Sequence, residues 1–194
     1  MRSSLLTGEA VVTGDALNIP NSLTLLRILL IPVFVGLMLY GWSEWALAAL
    51  LLAGLTDALD GTIARAANQR TRLGMYLDPL ADKLLLTSGF VTLSALHLVP
   101  LWVVILVVSR DVMLLAGTLL AQLTDSPVDI SPTMLGKGTT VLQLAYLVLV
   151  VVLVSRQMDV QLLQPLLYLM VGLTAASGSH YLYRGFARLN AGQV

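Results

Sequence analysis

Four aspartates, Asp57, Asp60, Asp78 and Asp82, fall within 26 residues of a chain that is otherwise strongly apolar. A carboxylate near the centre of a membrane-spanning helix costs about 2.5–3.5 kcal/mol, so four together cost on the order of 10 kcal/mol if nothing neutralises them. Asp57 and Asp60 are three apart and Asp78 and Asp82 four apart, so each pair occupies one face of a helix at neighbouring turns. Two such helices side by side make a cage of hard oxygen donors. Mg²⁺ or Mn²⁺ suits such a cage, and two ions roughly 3.5–4 Å apart are a recurring device for holding the attacking and leaving oxygens of a phosphoryl transfer in line.

The elements that must position this cage are helical and membrane-bound. Of 194 residues, 57% are hydrophobic and 11% charged, and the mean hydropathy is +0.86. These values lie outside the ordinary soluble range. The expected fold is all-α and integral to the membrane: a six-transmembrane-helix bundle forming one domain over 1–194, with residues 1–17 as a short N-terminal juxtamembrane segment. The apolar stretches run Leu23 to Tyr40, Trp45 to Ala66, Tyr76 to His97, Leu101 to Leu123, Leu135 to Val154 and Val160 to Tyr183. His97 and Pro100 separate the third from the fourth. Gly41, Ser126-Pro127, Ser131-Pro132 and the polar run from Arg156 to Asp159 mark the other junctions.

Zero cysteines exclude disulfides, thiolate catalysis and Cys-ligated metals. A formal net charge of zero gives no footprint for nucleic acid. The N-terminus reads as neither a signal peptide nor an import presequence, so direct insertion into a bacterial inner membrane is expected. With the N-terminus inside, Arg65, Arg70, Arg72, Lys137, Arg184 and Arg188 face the cytoplasm and Arg156 the opposite side, as the positive-inside rule requires. The aspartates then lie near the cytoplasmic ends of the second and third spans.

The residues between the aspartates narrow the chemistry. Gly61 and Gly74 remove side chains and Ala64 keeps that face shallow, so that a ligand or a neighbouring helix can come close there, and Arg65 offers a bidentate fork to phosphate. The stretch Asp57-x-x-Asp60-Gly61-x-x-Ala64-Arg65, eight residues, Gly74-x-x-x-Asp78-x-x-x-Asp82 resembles, at every specified position, the signature of the CDP-alcohol phosphatidyltransferase family. The resemblance implies that Asp57, Asp60, Asp78 and Asp82 hold two metal ions, and that Asp82 also accepts the proton of the attacking alcohol. It further implies that Asp57, Gly61, Ala64, Arg65, Thr71 and Gly74 line the site for the CDP-lipid, CDP-diacylglycerol. A homodimer embedded in membrane lipids is implied as well. The same acids in a divalent-cation transporter would give no reason for Gly61, Ala64, Arg65 and Gly74 at these spacings.

Three further segments bear on the acceptor. Asn21, Thr24 and Arg27 recur every third residue on one polar stripe, which makes Asn21 and Arg27 candidate walls of the site. Arg110 and Asp111 form a charged pair inside an apolar span, either as a structural pair or with Arg110 on a phosphate and Asp111 orienting it. Lys137 opens the fifth span, either as an interfacial anchor or beside the acceptor. Ser109-Arg110-Asp111-Val112-Met113 resembles the cardiolipin synthase branch of the family. The phosphatidylglycerophosphate synthase branch carries a second lysine where this chain has Thr139. Glycerol 3-phosphate is nearly a dianion and phosphatidylglycerol a monoanion, so the missing lysine favours phosphatidylglycerol as acceptor, with glycerol 3-phosphate the alternative. Lys83, beside Asp82, reads as a cytoplasmic counter-charge with a structural role. His97 and His180 receive no chemical role.

Overall fold

The computed structural model describes residues 19–67, 72–123 and 134–191, with side-chain surroundings for 22–57, 80–116, 134 and 136–181. Six long helices carry the chain: α1 Ile19–Leu39, α2 Ser43–Ala67, α3 Arg72–Ala95, α4 Leu101–Leu123, α5 Met134–Ser155 and α6 Gln164–Ala191, the last preceded by a 3₁₀ turn, Val160–Leu163. At 1.5 Å per residue, helices of 21 to 28 residues span about 32–42 Å, enough for a hydrocarbon core of about 30 Å. Among the described residues, three stretches, Ser22–Leu39, Gly136–Ser155 and Val160–Tyr181, are long and apolar enough to cross a membrane by themselves. Among the described residues there is no strand. The expected separation of the third and fourth spans is present. The segment 1–17, Thr71, Ser126-Pro127 and Ser131-Pro132 lie outside the described residues.

Three helices stop in the same way at one end of the bundle. At Gly41 (φ 79°) the backbone enters the left-handed region. Trp42 N–H then donates to Leu37 C=O and Gly41 N–H to Met38 C=O, the paired bonds of a Schellman stop. The pattern recurs where Leu98 N–H reaches Leu93 C=O around His97, and where Met158 N–H reaches Leu153 C=O around Gln157. His97 and Gln157 hold φ of 60° and 55°, a conformation that glycine adopts at lower cost. His97 is thus a helix terminator. Asp159 caps the 3₁₀ turn by accepting from Gln161 N–H at 2.8 Å.

The core follows from side-chain size. On α2, Ala46, Ala49, Ala53 and Thr56 are buried at helical spacing, a seam of small residues of the kind that lets helices approach closely. On α3, a Cβ at Gly89 would lie 2.6 Å from Leu147 Cδ2, so any larger residue there obliges the Leu147 side chain of α5 to move. Phe90 and Tyr146 stack beside it with ring centroids 6.2 Å apart. Large apolar side chains are exposed around the outside, among them Leu29, Leu51, Ile105, Val141 and Leu169, as suits a lipid-facing surface. All three tryptophans, Trp42, Trp45 and Trp102, are exposed with Tyr40 and Tyr168 at the end holding the three Schellman stops. Amphipathic aromatic rings collect at membrane–water interfaces.

Candidate active site

The polar interior lies in the other half of the bundle. The seam on α2 ends at Thr56, whose hydroxyl donates to Ala53 C=O at 2.7 Å, and the next residue is Asp57. Asp82 stands on α3, ten residues after its start. Between them Arg27 of α1, 1% exposed, places one guanidinium nitrogen 2.9 Å from Asp57 Oδ1 and the other 2.7 Å from Asp82 Oδ1. Three helices therefore meet in one carboxylate–guanidinium–carboxylate bridge, in which the flat fork of arginine suits two oxygens. Both carboxylates are about half exposed, at 51% and 46%, so the bridge lines an opening.

Asp60 lies one turn beyond Asp57 on α2, and Asp78 one turn before Asp82 on α3. Gly61, Ala64 and Arg65 follow on α2, Gly74 opens α3 and Asn21 opens α1. The side chains of these seven residues lie outside the described set. The two described aspartates do not by themselves form a metal cluster, and none occurs among the described residues.

A second charged cluster adjoins the first. Asp111, on α4, accepts on Oδ1 from Lys83 Nζ and from its neighbour Arg110, each at 2.7 Å. Arg110 is buried. Its other terminal nitrogen donates to Gly136 C=O at 3.0 Å and to Ser177 Oγ at 3.4 Å, and its Cγ lies 3.9 Å from the position of a Cβ on Gly178. It thereby ties α4 to α5 and α6. Lys83 is not a free cytoplasmic counter-charge: it is 20% exposed and paired to a carboxylate of 4% exposure. The pair was hidden in sequence because its members are 28 residues apart on different helices; the signal present was a lysine and an aspartate, each inside an apolar helix. Lys137 is exposed and Thr139 buried. Gln143, fully buried, donates to Thr174 at 3.2 Å and extends the polar interior between α5 and α6.

These features define a membrane-type helical bundle with an acidic, arginine-bridged site opening from its interior. A model of the CDP-alcohol phosphatidyltransferase family matches residues 17–176, and the chain belongs to that family. It is 48% identical over 101 residues to human cardiolipin synthase (CMP-forming), covering 52% of this chain and 34% of the human protein. It is 41% identical over 113 residues to a putative cardiolipin synthase of Mycobacterium bovis, covering 57% of this chain and 54% of that one. A probable cardiolipin synthase (CMP-forming) of Drosophila melanogaster is 36% identical over 180 residues, 84% of this chain and 56% of the fly protein. The matched regions thus span between about a third and just over half of these relatives.

Proposed function

We propose that this chain, with all six helices across the membrane, transfers the phosphatidyl group of CDP-diacylglycerol to a hydroxyl of phosphatidylglycerol, giving cardiolipin and CMP. The observation that carries the reading is the convergence of Asp57 and Asp82 on Arg27, inside a signature complete at every position. Two carboxylates on one guanidinium leave a net charge of −1 before Asp60 and Asp78 are counted. Their donors are hard oxygens, which fits divalent cations. Asp57, Asp60, Asp78 and Asp82 would hold Mg²⁺ or Mn²⁺, which when bound neutralises the pyrophosphate and the departing CMP.

The protein's own groups do the rest. Arg27 fixes the carboxylates of α2 and α3 relative to one another, so their orientation is set before substrate enters. Gly61, Ala64 and Gly74 leave room for the nucleotide, while Thr71 and Arg65 supply polar contacts to the CDP-lipid. Asp82 takes the acceptor's hydroxyl proton as that oxygen bonds to the phosphatidyl phosphorus. The bond from that phosphorus to the CMP oxygen breaks, and the proton passes from Asp82 to solvent. Both substrates are lipids, so they enter sideways between helices at the cytoplasmic leaflet.

The choice of acceptor is supported by Thr139. Its position faces the buried interior, where the other branch carries a lysine suited to the more highly charged glycerol 3-phosphate. The names of the human, mycobacterial and fly relatives point the same way. The test supplies purified protein with labelled CDP-diacylglycerol and either phosphatidylglycerol or glycerol 3-phosphate. Labelled cardiolipin from the first is expected; turnover with glycerol 3-phosphate alone would contradict the assignment.

A further inference from the structure

Asp82 and Lys83 are neighbours on α3, and consecutive helical residues point about 100° apart. Asp82 turns to Arg27 of α1, and Lys83 turns to Asp111 of α4. The contacts form a continuous line through the bundle: Asp57 on α2, Arg27 on α1, Asp82 and Lys83 on α3, Asp111 and Arg110 on α4, then Gly136 on α5 and Ser177 on α6. Every helix contributes a member.

We infer that the Lys83–Asp111 pair is a positioning device for Asp82, setting the rotation of α3 about its own axis and so the direction in which the Asp82 carboxylate points. Three observations carry it. The pair is short and mostly buried, with Lys83 20% and Asp111 4% exposed. Asp111 is itself anchored, since Arg110 holds the same oxygen and is bonded in turn to α5 and α6. One residue away, the same helix is tethered through Asp82 to a buried arginine. A helix held at adjacent residues by two partners in different directions cannot rotate without breaking one ion pair. Lys83 points about 100° round α3 from the bridge and acts through its neighbour.

This inference rests on the proposed role of Asp82 in phosphatidyl transfer, and two readouts separate the two ideas. In the first, Lys83→Met lowers kcat per folded molecule about 10–100-fold, the scale of a misplacement of about 1 Å. KM for CDP-diacylglycerol stays within about twofold, because uniform binding is untouched, and Lys83→Arg, which can keep the pair, recovers most of the rate. In the second, spin labels at Val91 on α3 and Leu29 on α1, both exposed, report the inter-helix distance in the otherwise cysteine-free chain. Lys83→Met shifts or broadens that distance and Lys83→Arg does not. An unchanged distance overturns the inference whatever the substrate proves to be, as does a Lys83→Met protein with wild-type kcat. Absence of wild-type turnover contradicts the proposed function instead, and the distance then decides the positioning role alone.

Discussion

At the scale of single residues, the decisive group is Arg27. A buried guanidinium within 2.9 Å of two carboxylates from different helices offsets one of their two charges and fixes their separation. Lysine offers one nitrogen in place of the fork. Arg27→Lys is therefore expected to retain a folded protein with CMP release lowered about tenfold or more, and Arg27→Gln to lose about 1.5–3 kcal/mol of stability as well, the range for hydrogen bonds to charged groups. Activity and detergent-resistant thermal unfolding measure the two; a fully active Arg27→Gln protein would show that the bridge does nothing. That Asp57 and Asp82 would lie near one another was legible from spacing, because helical periodicity projects sequence onto faces. The stripe of Asn21, Thr24 and Arg27 likewise pointed Arg27 at the site. What spacing could not supply was its partners, 30 and 55 residues away, since pairing across helices is set by packing. Lys83 shows the same limit more sharply: a charge adjacent to a key residue in sequence faces a different helix in space.

At the scale of elements, the bundle is built from stops and seams. The helix boundaries followed the apolar stretches to within about four residues, except that α6 continues past Tyr183 to Ala191, and the break at His97 and Pro100 fell where a polar residue and a proline interrupt an uncharged run. The physical form of that break was not legible, because histidine is not a usual left-handed cap. The strain at His97 and Gln157 gives a prediction of sign. Replacing either by glycine removes a side chain from a left-handed position, so His97→Gly and Gln157→Gly should each raise stability by about 0.5–1 kcal/mol. Unfolding of the purified variants measures this, and a loss of stability at either site would mean that its side-chain contacts outweigh the backbone strain. The small-residue seam of Ala46, Ala49 and Ala53 is buried on α2 just before Asp57, the residue that meets Arg27 of α1.

At the scale of the whole molecule, the exposed tryptophans and tyrosines mark one membrane interface and the charged cluster lies toward the other. The positive-inside rule predicts that the charged end faces the cytoplasm. Because the chain has no cysteine, single thiols can test this cleanly. In intact cells Gln157→Cys should react with an impermeant maleimide from outside, whereas Lys137→Cys, also at an exposed position, should react only after the membrane is opened; the reverse pattern would invert the topology. The central claim concerns chemistry at Asp82, and one measurement reaches it directly: CMP release from CDP-diacylglycerol in the presence of phosphatidylglycerol and Mg²⁺, for wild type and Asp82→Asn, with CDP-lipid binding followed in the same samples. Asparagine keeps an oxygen for Arg27 but cannot take a proton as a carboxylate does. The account predicts intact binding with release lowered about 10²–10⁴-fold in the variant, and abolished in wild type by a chelator. Asp82→Asn turning over at the wild-type rate would contradict it.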